Sequence, residues 1–163
     1  MSALATTAAP TYFPLHSIDG ELFADGGLHA NAPDIIAISE ALRTYNAPLS
    51  QIGMVSIGTT YSYREMPTLH RRNLGRLGWA FKLSIVELLL DAQDNTTVFL
   101  ADRMLGERYI RINRYIEPNI ANKIHLARAD DFAIRTLKTA AGDAWKALES
   151  NARKLARVDN MLR

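Results

Sequence analysis

Ile18-Asp19-Gly20-Glu21-Leu22-Phe23-Ala24-Asp25-Gly26-Gly27-Leu28-His29-Ala30-Asn31-Ala32-Pro33 is the stretch whose reading decides the fold. Asp19-Gly20 between apolar flanks is the pair that a two-residue hairpin turn favours, because both turn positions need positive φ. Leu22-Phe23-Ala24 predicts a short buried strand, with Asp25 where that strand ends. Gly26 and Gly27 permit positive φ and close backbone approach, and they put no bulky Cβ against the Asp25 carboxylate. Asn31 is placed to cap the helix that follows, and Pro33 suits its first turn. Taken by itself, Asp25 has two readings. It is a turn aspartate that bonds its own backbone, or a carboxylate at the carboxyl end of a strand, where α/β sheets bind ligands.

The chain around this stretch has 163 residues, enough for one domain with a real core. It is 48% hydrophobic and 22% charged, the balance of an ordinary soluble globular protein. A net charge of +2 gives no argument for nucleic acid as a partner. Cysteine is absent from the sequence, which excludes disulfides, thiol catalysis and Cys-ligated zinc and fits a reducing compartment. The expected location is the cytoplasm, or the periphery of a membrane. The first nine residues are small and apolar but lack the positive leader and long apolar core of a signal peptide. The most apolar run, Trp79 to Leu90, is interrupted by Lys82, Ser84 and Glu87, which argues against a membrane span.

No internal repeat, low-complexity tract or linker divides the sequence. After the hairpin, Ile35, Ile38, Leu42 and Tyr45 share one face at helical spacing over about 33–45, and Ala47-Pro48 ends that helix. Ile52-Gly53-Met54-Val55-Ser56-Ile57-Gly58 is a nearly continuous apolar run, as expected of a central parallel strand covered on both faces. The polar loop 59–73 carries Arg64, His70, Arg71 and Arg72, either a solvated surface or a site for an anionic lipid headgroup. Helical pattern returns over 74–105, where Leu77, Phe81, Ile85, Leu88 and Ala92 mark one face, for a core or for an acyl-chain groove. Arg108 to Asn113 alternates like a half-buried strand, one nearer the sheet edge than that at Ile52. Asp130 and Asp131 open a long helix with acids at its positive end, and Leu137, Ala141, Ala144, Leu148, Ala152 and Leu155 give it a continuous stripe. Trp79 and Trp145 read as core anchors.

The ordered set Ala8-Ala9-Pro10-Thr11-Tyr12-Phe13-Pro14, the hairpin, Asp25-Gly26-Gly27, Asn31-Ala32-Pro33, Val55-Ser56-Ile57-Gly58-Thr59 and Tyr109-Ile110-Arg111-Ile112-Asn113 resembles the distal half of the patatin-like phospholipase family. The resemblance runs to about residue 140. It implies a three-layer α/β fold related to the α/β-hydrolases, without the strands that carry the nucleophile. On that reading 1–163 is a single partial domain. Its parts are a helix end, hairpin and Asp-Gly-Gly turn (1–32), helices and central strands (33–128), and a C-terminal helix (129–163). The resemblance further implies lipid acyl hydrolysis by a Ser–Asp dyad with no cofactor. Asp25 carries over as general base, Gly26 and Gly27 as the turn that aims it, and Asn31 and Pro33 as supporting positions.

The nucleophile is the missing part. The family places it in Gly-x-Ser-x-Gly on a strained strand-to-helix elbow. Ser2, Ser17, Ser39, Ser50, Ser56, Ser62, Ser84 and Ser150 are the serines here, and none sits in that pattern. Ser56 comes nearest, with Gly58 after it but Met54 where the first glycine belongs. A glycine-rich oxyanion loop is also absent, and Gly75-Arg76-Leu77-Gly78 instead opens a helix. The expected partners are therefore a lipid ester or membrane-surface substrate, and a serine-bearing segment or a second copy joined along an exposed sheet edge. The competing expectation is a non-catalytic remnant or a lipid- or protein-binding module of the same fold. Asp25 and His29 stand four apart, but in a glycine turn without a third ligand they make no metal site. His16, His29, His70 and His125 have no elbow serine with which to form a triad.

Overall fold

The computed structural model describes residues 2–10, 12–62, 85–124 and 129–162. Contacts divide the chain into two compact units, Met1–Glu40 with Leu69–Leu100 and Ala41–Thr68 with Ala101–Arg163. The elements are helices and short strands, and among the described residues the strands form two two-stranded sheets, one antiparallel and one parallel. Several sequence expectations lie outside the described residues: the basic positions Arg64, His70, Arg71 and Arg72, the helical pattern up to Ser84 with Trp79, and His125.

The first unit opens with helix α1 (Ser2–Thr6), followed by strands β1 (His16–Ile18) and β2 (Glu21–Phe23). The hairpin forms in the expected register, Ile18 opposite Glu21 and His16 opposite Phe23. Asp19 and Gly20 take φ of 52° and 86°, so both turn residues are left-handed, as a twist-matched two-residue turn demands. The strand is not buried, however: Leu22 is 67% exposed and Phe23 lies at the surface. Among the described residues no third strand pairs with the hairpin. A four-residue helix α2 (Gly27–Ala30) and helix α3 (Asp34–Thr44) come next. Ile38 on α3 is fully buried, whereas Tyr45, expected on the same face, is exposed.

The second unit is built on strands β3 (Met54–Ile57) and β4 (Tyr109–Ile112), parallel and paired residue for residue from Met54–Tyr109 to Ile57–Ile112. The chain between them contains helix α4 (Ile85–Leu105), which belongs to the first unit as far as Leu100 and to the second from Ala101, where Ala101 and Leu105, one turn apart, are buried. The short helix α5 (Pro118–Ala121) follows β4. Helices α6 (Asp131–Glu149) and α7 (Ala152–Met161) pack on the sheet through a core of Ile110, Leu148 and Val158, with Val55, Ile112, Leu155 and Met161 around it. The burial order of the strands reverses the expectation. Tyr109 and Ile110 on β4 are buried, while Ile57 at the end of β3 is 75% exposed.

The expected single C-terminal helix is two helices. Asn151 breaks the stripe by accepting a hydrogen bond from the Lys154 N–H at 3.1 Å, which caps α7 and starts a new helical direction. Asp130, expected at the positive end of this helix, also caps α6, accepting from the Ala133 N–H at 2.8 Å. Buried positions on α6 are Ala133, Ala140 and Leu148 rather than Leu137, which is exposed. Trp145 also lies at the surface, where its indole N–H donates to Glu149 Oε1 one turn on at 2.8 Å.

Beyond β3 and β4, one side chain holds the chain in register. Asn113 Oδ1 accepts from the Thr60 N–H at 2.8 Å and from the Arg114 N–H at 2.9 Å. Pairing then resumes, with Tyr61 N–H donating to the Arg114 carbonyl at 3.0 Å and Ile116 N–H to the Tyr61 carbonyl at 2.8 Å. Gly58 leaves the space Asn113 occupies: a Cβ there would lie 2.4 Å from Asn113 Nδ2.

Three outcomes follow. Asp130→Ala removes a helix cap and should lower stability by about 1 kcal/mol in urea denaturation. Gly58→Ala forces Asn113 out of its bonds and should cost more, about 1–3 kcal/mol. Arg157 donates a hydrogen bond to the Glu107 carboxylate, and that bond, then the Arg157 charge, holds the Glu107 pKa below the ordinary glutamate range. A depressed folded-state pKa stabilises above the unfolded pKa and loses that contribution as pH falls through the folded value. In an NMR titration Glu107 should therefore protonate at lower pH than a free glutamate, and Arg157→Ala should remove most of the difference, the smaller effect of the Arg153 charge remaining.

Candidate functional site around Asp25

Asp25 lies two residues past β2, at the exit of an antiparallel hairpin strand rather than at the end of a parallel one. The half-buried residue is fixed from both sides. Its N–H donates to the Ala8 carbonyl at 3.0 Å, tying the hairpin exit to the segment after α1. Its carbonyl accepts from the Leu28 N–H at 3.1 Å and so starts the α2 turn. The carboxylate accepts through Oδ1 from the Gly27 N–H at 2.7 Å. This is the turn aspartate bonding its own backbone, the first of the two readings that the sequence allowed.

The glycines act through what they lack. Gly26 has φ −60° and ψ −20°, ordinary right-handed backbone, so its expected positive φ is not used. Gly27 is needed for space. A Cβ there would lie 3.1 Å from Asp25 Oδ1 and 3.3 Å from Asn31 Oδ1, tighter than side chains normally tolerate. The carboxylate and the Asn31 amide oxygen thus both border the space that a Cβ on this glycine would fill.

Asn31 does not cap α3. It is the last residue of the α2 turn, with φ −67° and ψ −38°. Its side chain reaches α4 instead, where Nδ2 donates to Asp94 Oδ2 at 2.9 Å. Its backbone N–H donates to Gln93 Oε1 at 3.3 Å, and Gln93 Nε2 donates to the His29 carbonyl at 2.6 Å. Pro33 immediately precedes α3, and its carbonyl accepts from the Ala37 N–H at 2.9 Å. Neighbouring Ala32 and Asp34 are both buried, so the segment after Asn31 is seated in the first unit.

Sequence reasoning missed Gln93 and Asp94, having read α4 only as an apolar stripe. A signal was present, the unbroken polar run Gln93-Asp94-Asn95-Thr96-Thr97 in the middle of an otherwise apolar helix. Ser56, the serine nearest to an elbow pattern, is a buried strand residue of the second unit whose Oγ accepts from Arg111 NH1 at 2.5 Å. Among the described residues no group of three His, Asp or Glu side chains is placed to hold a metal ion. No helix of the described residues is long and apolar enough to cross a membrane.

Comparison with known proteins gives a consistent set of relatives. The chain is 33% identical over 144 residues, 83% of its length, to a cGAMP-activated phospholipase of Pseudomonas aeruginosa. It is 29% identical over 150 residues to one of Vibrio cholerae and 28% identical over 151 residues to one of Escherichia coli, again across 83% of the chain. The chain spans about two-fifths of the length of these curated relatives, 41% of the first and 42% of the others. No protein-family model matches the chain, and no solved structure does.

Gly27→Ala tests the local geometry. The new methyl should push Asp25 Oδ1 off the Gly27 N–H, and exchange of that amide, followed by NMR, should accelerate about tenfold or more. The amides of α6, in the other unit, should not change.

Proposed function

We propose that this chain is the Asp-bearing part of a patatin-like serine acyl hydrolase acting on phospholipid or other lipid esters. The observation that carries this reading is the pairing of a turn-fixed Asp25 with three relatives that are all named phospholipases. In the proposed dyad Asp25 takes the proton of a serine hydroxyl as that oxygen attacks the ester carbonyl. A free carboxylate is a weak base, and proton transfer concerted with attack, in a site that excludes water, makes the task easier. The Gly27 bond engages one lone pair of Oδ1. An ionised carboxylate offers about four such sites, so the turn fixes the group and leaves it able to accept. The chemistry uses no cofactor.

The serine is proposed to come from outside this chain, from a further segment of the same polypeptide or from a partner, because the sequence holds no Gly-x-Ser-x-Gly. The apolar surface of the hairpin, Leu22 and Phe23 with Phe13 and Leu15 before them, supports a missing neighbour in the first unit. The relatives' names record activation by cGAMP, and the assembled enzyme is proposed to share that control. The same missing motif favours the second reading, a remnant that keeps a lipid- or protein-binding surface without turnover.

The test is hydrolysis of short-chain p-nitrophenyl esters and of phospholipid vesicles, with and without cGAMP. The chain is assayed alone and together with the product of the adjoining coding sequence. Turnover is expected only in the combination and should fall by at least about 10³-fold in Asp25→Asn, the scale of losing one member of a catalytic unit. Turnover by the chain alone, or full turnover in Asp25→Asn, would overturn the reading. Inactivity of every combination would favour the remnant.

A further inference from the structure

The geometry points to Gln93 and Asp94 of α4 as positioning residues for the Asp25 turn. This inference rests on the reading of Asp25 as general base but is carried by a separate observation, the hydrogen-bond set that joins α4 to the end of α2. Asp25 is followed by a helix of four residues, too short to be stable by itself. Its closing backbone groups are taken up from outside. Gln93 spans the turn, accepting from the Asn31 N–H at 3.3 Å and donating to the His29 carbonyl at 2.6 Å. A primary amide is suited to this because it offers an acceptor and a donor on one rigid plane.

Asp94, the next residue, takes the Asn31 side chain at 2.9 Å. A bond to a charged acceptor is stronger than one between neutral groups, and it fixes which end of the Asn31 amide faces the aspartate. Nδ2 points to Asp94, and Oδ1 therefore faces Gly27, 3.3 Å from where a Cβ would stand. Asp25 Oδ1 lies 3.1 Å from that same position. Asp94 thus bonds the Asn31 amide, whose oxygen lies beside Gly27, and the Gly27 N–H bonds the Asp25 carboxylate. Gln93 holds the backbone of the turn, and Asp94 holds the side chain that borders the glycine. Neither residue touches the reacting atoms, and both act through the turn. Misplacing a catalytic group by about 1 Å can cost on the order of 10²-fold in rate.

The experiment has a structural arm and a kinetic arm. In the 163-residue chain, amide exchange by NMR is compared in wild type, Gln93→Ala, Asp94→Ala, Asp94→Asn, Asn31→Ala and the Asn31→Ala/Asp94→Ala double variant. Asn95→Ala, the neighbouring exposed position on α4, is the control. Exchange at Gly27 and Asn31 should accelerate about tenfold or more in Gln93→Ala and Asp94→Ala, with the β1–β2 and α6 amides unchanged. Asp94→Asn keeps an acceptor for Asn31 Nδ2 and should restore most of the protection. The double variant should be no looser than either single one, because both remove the same bond. If an alanine variant loses the hairpin, Gln93→Glu decides. It keeps the acceptor for Asn31, sets a carboxylate against the His29 carbonyl, and should loosen the same amides in a folded chain.

In the enzyme assembled with its serine-bearing part, Asp94→Ala should lower kcat about 10- to 100-fold with KM unchanged, and Asp94→Asn should recover it. Wild-type exchange at Gly27 in Gln93→Ala, Asp94→Ala and Gln93→Glu would overturn the inference, as would an equal effect of Asn95→Ala. Full turnover in Asp25→Asn, with the exchange pattern as expected, would instead sink the general-base reading and leave the brace standing.

Discussion

The hydrogen bond from the Gly27 N–H to Asp25 Oδ1, 2.7 Å long, is made where a Cβ on residue 27 would stand only 3.1 Å from the same oxygen. A flexible aspartate in a surface turn has no preferred direction, and its rotamer freedom must be removed before it can act on a neighbouring group. Here the backbone does this directly. The two readings that the sequence allowed for Asp25 are therefore compatible: a carboxylate that bonds its own turn is a carboxylate held at a fixed angle, with acceptor capacity left over. The constraint passes outward from there. Asn31 borders the same glycine, α4 holds Asn31 through Asp94, and Gln93 completes the backbone of the turn.

The second unit follows the same logic with different residues. Val55 to Thr59 and Tyr109 to Asn113 are distant in sequence, and both carried the family resemblance. They turn out to be the two halves of one parallel pair and its extension. Gly58 and Asn113 explain each other: the glycine leaves room and the amide fills it, bonding two backbone N–H groups that would otherwise lie beyond the ladder. In both units a glycine beside an amide or carboxylate side chain replaces a regular hydrogen-bond ladder where the chain has to turn.

What the sequence revealed and what it hid divide along physical lines. The Asp19-Gly20 turn, the α3 helix and the acidic start of the helix at Asp130 were legible because local rules govern them: φ preference, periodicity, and charge placed at a helix end. Burial was less legible. Leu22 and Phe23 have the composition of a core strand, but exposure depends on which strand lies alongside, and the chain's own pattern does not state that. The break at Asn151 was hidden because the apolar stripe continues in phase across it. Gln93 and Asp94 were missed because a long-range bond from a side chain to a turn leaves no periodic trace. It shows only as a polar run where an apolar helix was expected.

On the proposed reading, Asp25 is a proton acceptor that serves a nucleophile carried elsewhere. A fluorophosphonate probe, which reacts with activated serines, tests this directly when the labelled residue is located by mass spectrometry. The chain alone should show no labelled serine, and the assembled enzyme should be labelled on a serine outside these 163 residues, with labelling lost in Asp25→Asn. Labelling of Ser56 or any other serine of this chain would contradict the account.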